Sequence, residues 1–134
     1  MKANVVLKGY WPALAWSLII LLLTGLPGNF FPEITSFWDW LSPDKVVHLF
    51  IFGTLSFLIL FGYRHKYAGN KKKKLVWTSI VITILYGALT EILQYYVFIG
   101  RSGNIYDALA DMIGAFIGWF VFVLIFKKLQ SKTV

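Results

Sequence analysis

Four apolar blocks, at about residues 11–26, 44–63, 75–99 and 105–126, take up most of this 134-residue chain. Each is close to the roughly twenty residues a helix needs to cross a hydrocarbon layer about 30 Å thick, at about 1.5 Å per residue. In lipid, backbone N–H and C=O groups must pair inside their own segment, so blocks of this kind are helices. The expectation is an all-α, four-transmembrane-helix bundle in a single domain. Only 14% of the residues are charged, against about 25% in average soluble domains. Four spans leave no folded soluble surface for a soluble enzyme's site or for nucleic acid. With no cysteine, disulfides, thiolate metal sites and cysteine nucleophiles are excluded as well.

The breaks between blocks are equally legible. Pro12 falls in the first turn of the first block, where its missing N–H costs nothing. That block reads as an uncleaved span and not a signal peptide, because Leu26-Pro27-Gly28-Asn29 follows it in place of a small-x-small cleavage site. Residues 27–43 form an outer loop broken by Pro27, Pro32 and Pro43. Phe30, Phe31, Trp38 and Trp40 give it the character of a headgroup-level aromatic belt, with a short amphipathic helix expected near 33–41. Ser42-Pro43-Asp44 reads as an N-cap, a first-turn proline and a first-turn acid. Gly100 to Asn104 is a turn.

Charge sets the expected sidedness. Four spans put both termini on one side, with the 64–74 linker. That side holds Lys2, Lys8, Arg64, Lys66, Lys71 to Lys74, Lys127, Lys128 and Lys132, and no acid. The other side holds Lys45 and Arg101 with all six acids: Glu33, Asp39, Asp44, Glu91, Asp107 and Asp111. The positive-inside rule makes the lysine-rich side cytoplasmic, so the expectation is N-in, C-in. The tetralysine run then reads as a topology anchor that touches lipid headgroups, not as a nucleic-acid site.

The candidate chemistry collects at the acidic end. Asp44 and His48 are i and i+4, one turn apart on one helix face. Glu91, Gln94 and Tyr95 share a face on the third helix by the same rule. Asp107, Asp111, Gly114 and Gly118 fall at i, i+4, i+7 and i+11, a single stripe on the fourth. Its Gly114-x-x-x-Gly118 half permits close helix approach, so the stripe faces protein and its acids face the same interior. A charge at the bilayer centre costs about 2.5–3.5 kcal/mol on insertion scales, which is a reason for these groups to meet and pair. In this reading His48, oriented by Asp44, is the acid–base group, and Glu91 or Asp107 activates water or binds a metal. Lys45, Gln94, Arg101 and Asp111 form the substrate-binding set. Four carboxylates against Lys45 and Arg101 leave two negative charges with His48 neutral, room for a proton, a cationic histidine or a divalent metal. The candidate ligands are His48, Glu91, Asp107 and Asp111, although no His-Glu-x-x-His spacing is present. The bland reading is a polar plug that only fixes helix register.

Taken together, Asp44-Lys45-x-x-His48, Glu91-x-x-Gln94, Arg101-Ser102, Asp107 and Gly114-x-x-x-Gly118 resemble the VanZ-like membrane proteins over about residues 40–126. One position departs: the family often has asparagine where this chain has Asp111. The resemblance implies a multi-pass protein of the bacterial inner membrane. It also implies a link to glycopeptide resistance, since the founding member is associated with low-level resistance to teicoplanin. Two functional classes follow. In one, a pocket open to the outer leaflet binds or modifies an anionic lipid or a lipid-linked cell-wall precursor. In the other, the protein is a non-catalytic ion or proton carrier or an assembly factor, and its buried charges serve packing or transport.

Overall fold

The structure, a computed structural model, describes residues 3–27, 43–67, 71–98, 100 and 105–131. It is all-helical. Helix α1 spans Ala3–Thr24, α2 Pro43–Gly62, α3 Lys72–Tyr96 and α4 Ile105–Ser131, with a single 3-10 turn at Arg64–Lys66 after α2. Three helices are long and apolar enough to cross a membrane; the apolar part of α1, Lys8–Thr24, is shorter. Helix α2 opens at Pro43 with Asp44 in its first turn. Helix α3 starts inside the lysine run that sequence reading gave to the linker, since lysine is a good helix former whose stem can lie along the helix. The expected amphipathic helix near 33–41 and the Ser42 cap lie outside the described residues.

Helix α2 touches all three partners and packs most extensively on α4. That seam is made by glycine. A Cβ added at Gly53 would sit 3.1 Å from the Gly114 carbonyl oxygen, and one at Gly114 would sit 2.7 Å from the Leu49 oxygen. One at Gly118 would collide with the Gly53 oxygen. The two backbones are in contact, as a small-xxx-small pattern allows. Helix α1 docks differently. Ala13 and Ile20 join Ile51, Phe52, Leu55 and Ile59 of α2 in one apolar cluster. The Trp16 indole donates to the Ile51 carbonyl at 2.8 Å, and the Tyr86 hydroxyl of α3 donates to the Ser17 carbonyl at 2.5 Å.

The outward faces are apolar: Trp11, Phe50, Leu85, Ile105 and Phe120 are all more than half exposed. Contiguous apolar surface on this scale suits lipid and not water. The inside is the more polar region. Ser56 donates to the Ala115 carbonyl, Ser79 to the Ser56 carbonyl and Thr83 to the Ser79 carbonyl, all of them buried.

Candidate functional site

Helix direction decides which groups meet. The start of α2, the last turns of α3 and the start of α4 come together at one end of the bundle. Lys8 of α1 lines a cavity with Arg64, His65 and Lys66 at the opposite end of α2. The acidic end is therefore assembled from Asp44, Lys45 and His48 of α2, Glu91 and Gln94 of α3, and Asp107 and Asp111 of α4.

His48 is the centre. It is 2% exposed, and its ring lies nearly parallel to that of Phe52 one turn on, at 6.0 Å between centroids. His48 Nδ1 donates to Asp111 Oδ1 at 2.7 Å. Glu91 Oε1 stands 4.0 Å from the same nitrogen. On the other side of the ring, Asp44 Oδ1 stands 4.0 Å from Nε2. Beyond it, the Lys45 ammonium lies 3.5 Å from Asp107 Oδ1. One ligand atom each from Asp44, His48 and Asp107 falls within a 4.8 Å group, and so does one each from His48, Glu91 and Asp111. One imidazole thus separates two carboxylate pairs. A histidine whose one nitrogen is held by a buried carboxylate presents the other in a fixed direction, the arrangement used for acid–base chemistry and for metal ligation.

The helix spacing in the sequence pairs His48 with Asp44. The structure gives it a nearer partner, Asp111 of α4, because the glycine seam brings α4 within hydrogen-bond reach of α2. Gln94 is buried beside Glu91, but its amide donates to the Thr24 carbonyl at 3.1 Å, tying the end of α3 to the end of α1. Tyr95, expected on the same face, is 67% exposed: one position past Gln94 turns it by about 100°. Arg101 lies outside the described residues.

Sequence reading missed Gly87. A Cβ there would stand 2.8 Å from Asp111 Oδ2, so α3 makes room for that carboxylate with a glycine. The signal was present: Gly87, Glu91 and Gln94 fall at i, i+4 and i+7, one buried stripe of α3.

No curated protein and no solved structure matches the chain. A family pattern does match, and it reaches back beyond the motifs that carry the resemblance to include most of α1. The VanZ/LLP1 pattern covers residues 10–127, most of the chain, and the protein belongs to that family.

Proposed function

We propose that the His48 cluster is a pocket at the outer face of the bacterial inner membrane, where the protein binds or modifies an anionic lipid or a lipid-linked envelope precursor. The observation that carries this is the convergence of His48, four carboxylates and Lys45 from three helices at one end of an apolar bundle, within the distances above. Buried charge of this kind is costly in lipid and is the usual mark of a working site. Lys45, with Arg101, meets the anionic headgroup. Gln94 and Asp111 shape the site, the latter by orienting His48. His48 is the acid–base group, and Asp44, Glu91 and Asp107 are the carboxylates that serve the reacting proton or water. The link to teicoplanin resistance follows from the same reading: a pocket for a lipid-linked wall precursor meets the material that glycopeptides bind.

The topology belongs to this proposal: four spans, both termini cytoplasmic, with α1 as the short fourth span. Lys8 meeting Arg64 and Lys66 at one end, opposite the carboxylates, supports it. The chain lacks cysteine, so single introduced cysteines report it directly. A cysteine at Lys73 is expected to react only with permeant thiol reagents in whole cells, and one at Gly100 with impermeant ones; the reverse pattern overturns the topology. The functional test uses purified protein in nanodiscs holding anionic phospholipid or an undecaprenyl-linked precursor. Retention or turnover that His48→Ala and Lys45→Ala abolish is expected, and no retention or turnover of either lipid overturns the reading.

The carrier alternative draws less support. A pathway needs polar groups through the inner half. The buried hydroxyls there, Ser56, Ser79 and Thr83, each donate to a backbone carbonyl across or along a helix, the pattern of packing groups.

A further inference from the structure

A pocket for an anionic headgroup has a charge problem at this site. Four carboxylates face Lys45, and even with Arg101 counted two negative charges remain if His48 is neutral. Such a pocket repels an anion unless a cation fills it. Asp107 Oδ1, on a side chain only 7% exposed, accepts no hydrogen bond and faces the Lys45 ammonium at a loose 3.5 Å. Buried acceptors are nearly always hydrogen-bonded, so an oxygen met only by a distant ammonium has room for a closer ligand.

We propose that His48 Nε2, Asp44 and Asp107 bind one divalent transition-metal ion, with Asp111 as the positioning residue behind the histidine. The inference rests on the headgroup-binding part of the proposed function for its purpose, and on the donor set alone for its geometry; with both nitrogens engaged, His48 is then a ligand and not the proton carrier. The hydrogen bond to Asp111 commits Nδ1 as the donor, which leaves the Nε2 lone pair facing Asp44, 4.0 Å away. Two ligands with bonds of about 2.1 Å to a common metal reach that separation at a wide ligand–metal–ligand angle. The carboxylate–imidazole–metal order is the standard outer-shell arrangement. Choosing Nε2 replaces Glu91 and Asp111 in the expected ligand list by Asp44, because Nδ1, the nitrogen facing those two, is already bonded. One imidazole with two carboxylates suits Mn²⁺ or Zn²⁺. Asp44 and Lys45 are half-buried, so the ion has a way in from the membrane surface. The metal turns an anion-repelling cluster into an anion-binding one, and Lys45 flanks it.

The test measures metal without lipid. Purified protein in detergent, stripped with chelator, is titrated with Mn²⁺ and read by electron paramagnetic resonance. About one ion per chain is expected, with nitrogen hyperfine coupling from a single imidazole. Asp44→Asn, a substitution at a half-buried position that leaves the thermal transition in place, is expected to weaken binding at least tenfold. Asp111→Leu is expected to weaken it about 10–100-fold, and Asp111→Asn, which still accepts from Nδ1, is expected to restore most of the loss. Zn²⁺ is expected to displace Mn²⁺. No stoichiometric Mn²⁺, bound Mn²⁺ without nitrogen coupling, or undiminished affinity in a folded Asp44→Asn protein overturns the site. Because lipid is absent, any of these results leaves the headgroup reading to its own test. Conversely, metal-loaded protein that retains no anionic lipid sinks that reading alone.

Discussion

The α2–α4 seam and the α1 contact are built differently. Across the seam, backbone meets backbone through Gly53, Gly114 and Gly118. Helix α1 meets the α2 backbone at one place, where a Cβ added at Gly9 would sit 3.3 Å from the Gly62 oxygen; the rest of its hold comes from side chains, and between it, α2 and α3 lies a cleft of about 430 Å³ lined by Tyr10, Leu14, Leu55 and Ile82 among others. The two constructions suit two tasks. His48 and Asp111 stand 2.7 Å apart across the seam, and a site on two helices keeps such a distance only if the helices cannot slide. Among the described residues, what α1 bonds to the acidic end is the Thr24 carbonyl. It can shift against the cleft without moving a charged group of the acidic end. We read α2, α3 and α4 as the frame and α1 as its cover.

The hardest blow to the frame is Gly118→Leu. Its side chain would occupy the space of the Gly53 carbonyl, and no rotamer change relieves a clash that begins at Cβ. Overpacking costs about 1–3 kcal/mol, occasionally more, where neighbours can move; here they are backbone. The expected outcome is loss of the folded bundle, read as aggregation on size-exclusion chromatography of the solubilised protein. A monodisperse Gly118→Leu protein would mean the seam is looser than described. The same wedge placed on α1, Ala13→Leu, is expected to be tolerated beside the open cleft.

His48→Ala comes next. It removes the donor to Asp111 and leaves the carboxylates of α2, α3 and α4 facing one another. Breaking one side of a buried pair costs about 3–5 kcal/mol, whereas replacing both sides with apolar groups is often near neutral. His48→Ala is therefore expected to lower the unfolding midpoint steeply, and His48→Leu with Asp111→Leu to recover most of the loss. If the double variant is no better than the single one, His48 and Asp111 are not coupled.

What the sequence carried, and what it did not, follows from the same division. Helices announce themselves through apolar length, and faces through i, i+4 spacing, so the stripe from Asp107 to Gly118 was readable in full. Partners across a seam are not encoded by spacing within one helix. Asp44 sits one turn from His48 in the chain, so it took the role that Asp111 holds in space. Gly87 went unread because an isolated glycine in an apolar span has several explanations, and only the position of Asp111 picks one. The end of α3 was misjudged at Tyr95, where one residue separates the buried face from the lipid face.

Within the α1 contact, two hydrogen bonds of similar length should differ in worth, and the ranking sharpens the idea of a cover. Ile51 lies inside α2, so its carbonyl already accepts an in-helix N–H; the Trp16 indole is its second donor. Thr24 ends α1, where carbonyls have no in-helix partner, and Gln94 is the donor it meets among the described residues. Gln94→Leu therefore leaves a buried carbonyl unsatisfied, a loss of about 1–3 kcal/mol. Trp16→Phe removes only a supplementary bond, worth about 0.6 kcal/mol on average between membrane helices. Denaturant or steric-trapping measurements on the two variants should rank them in that order. Both should keep the Mn²⁺ signal, because the bond each removes runs to α1 and not between the frame helices. Loss of that signal in Trp16→Phe would show that α1 is part of what holds His48 in place, and the distinction between frame and cover would have to be abandoned.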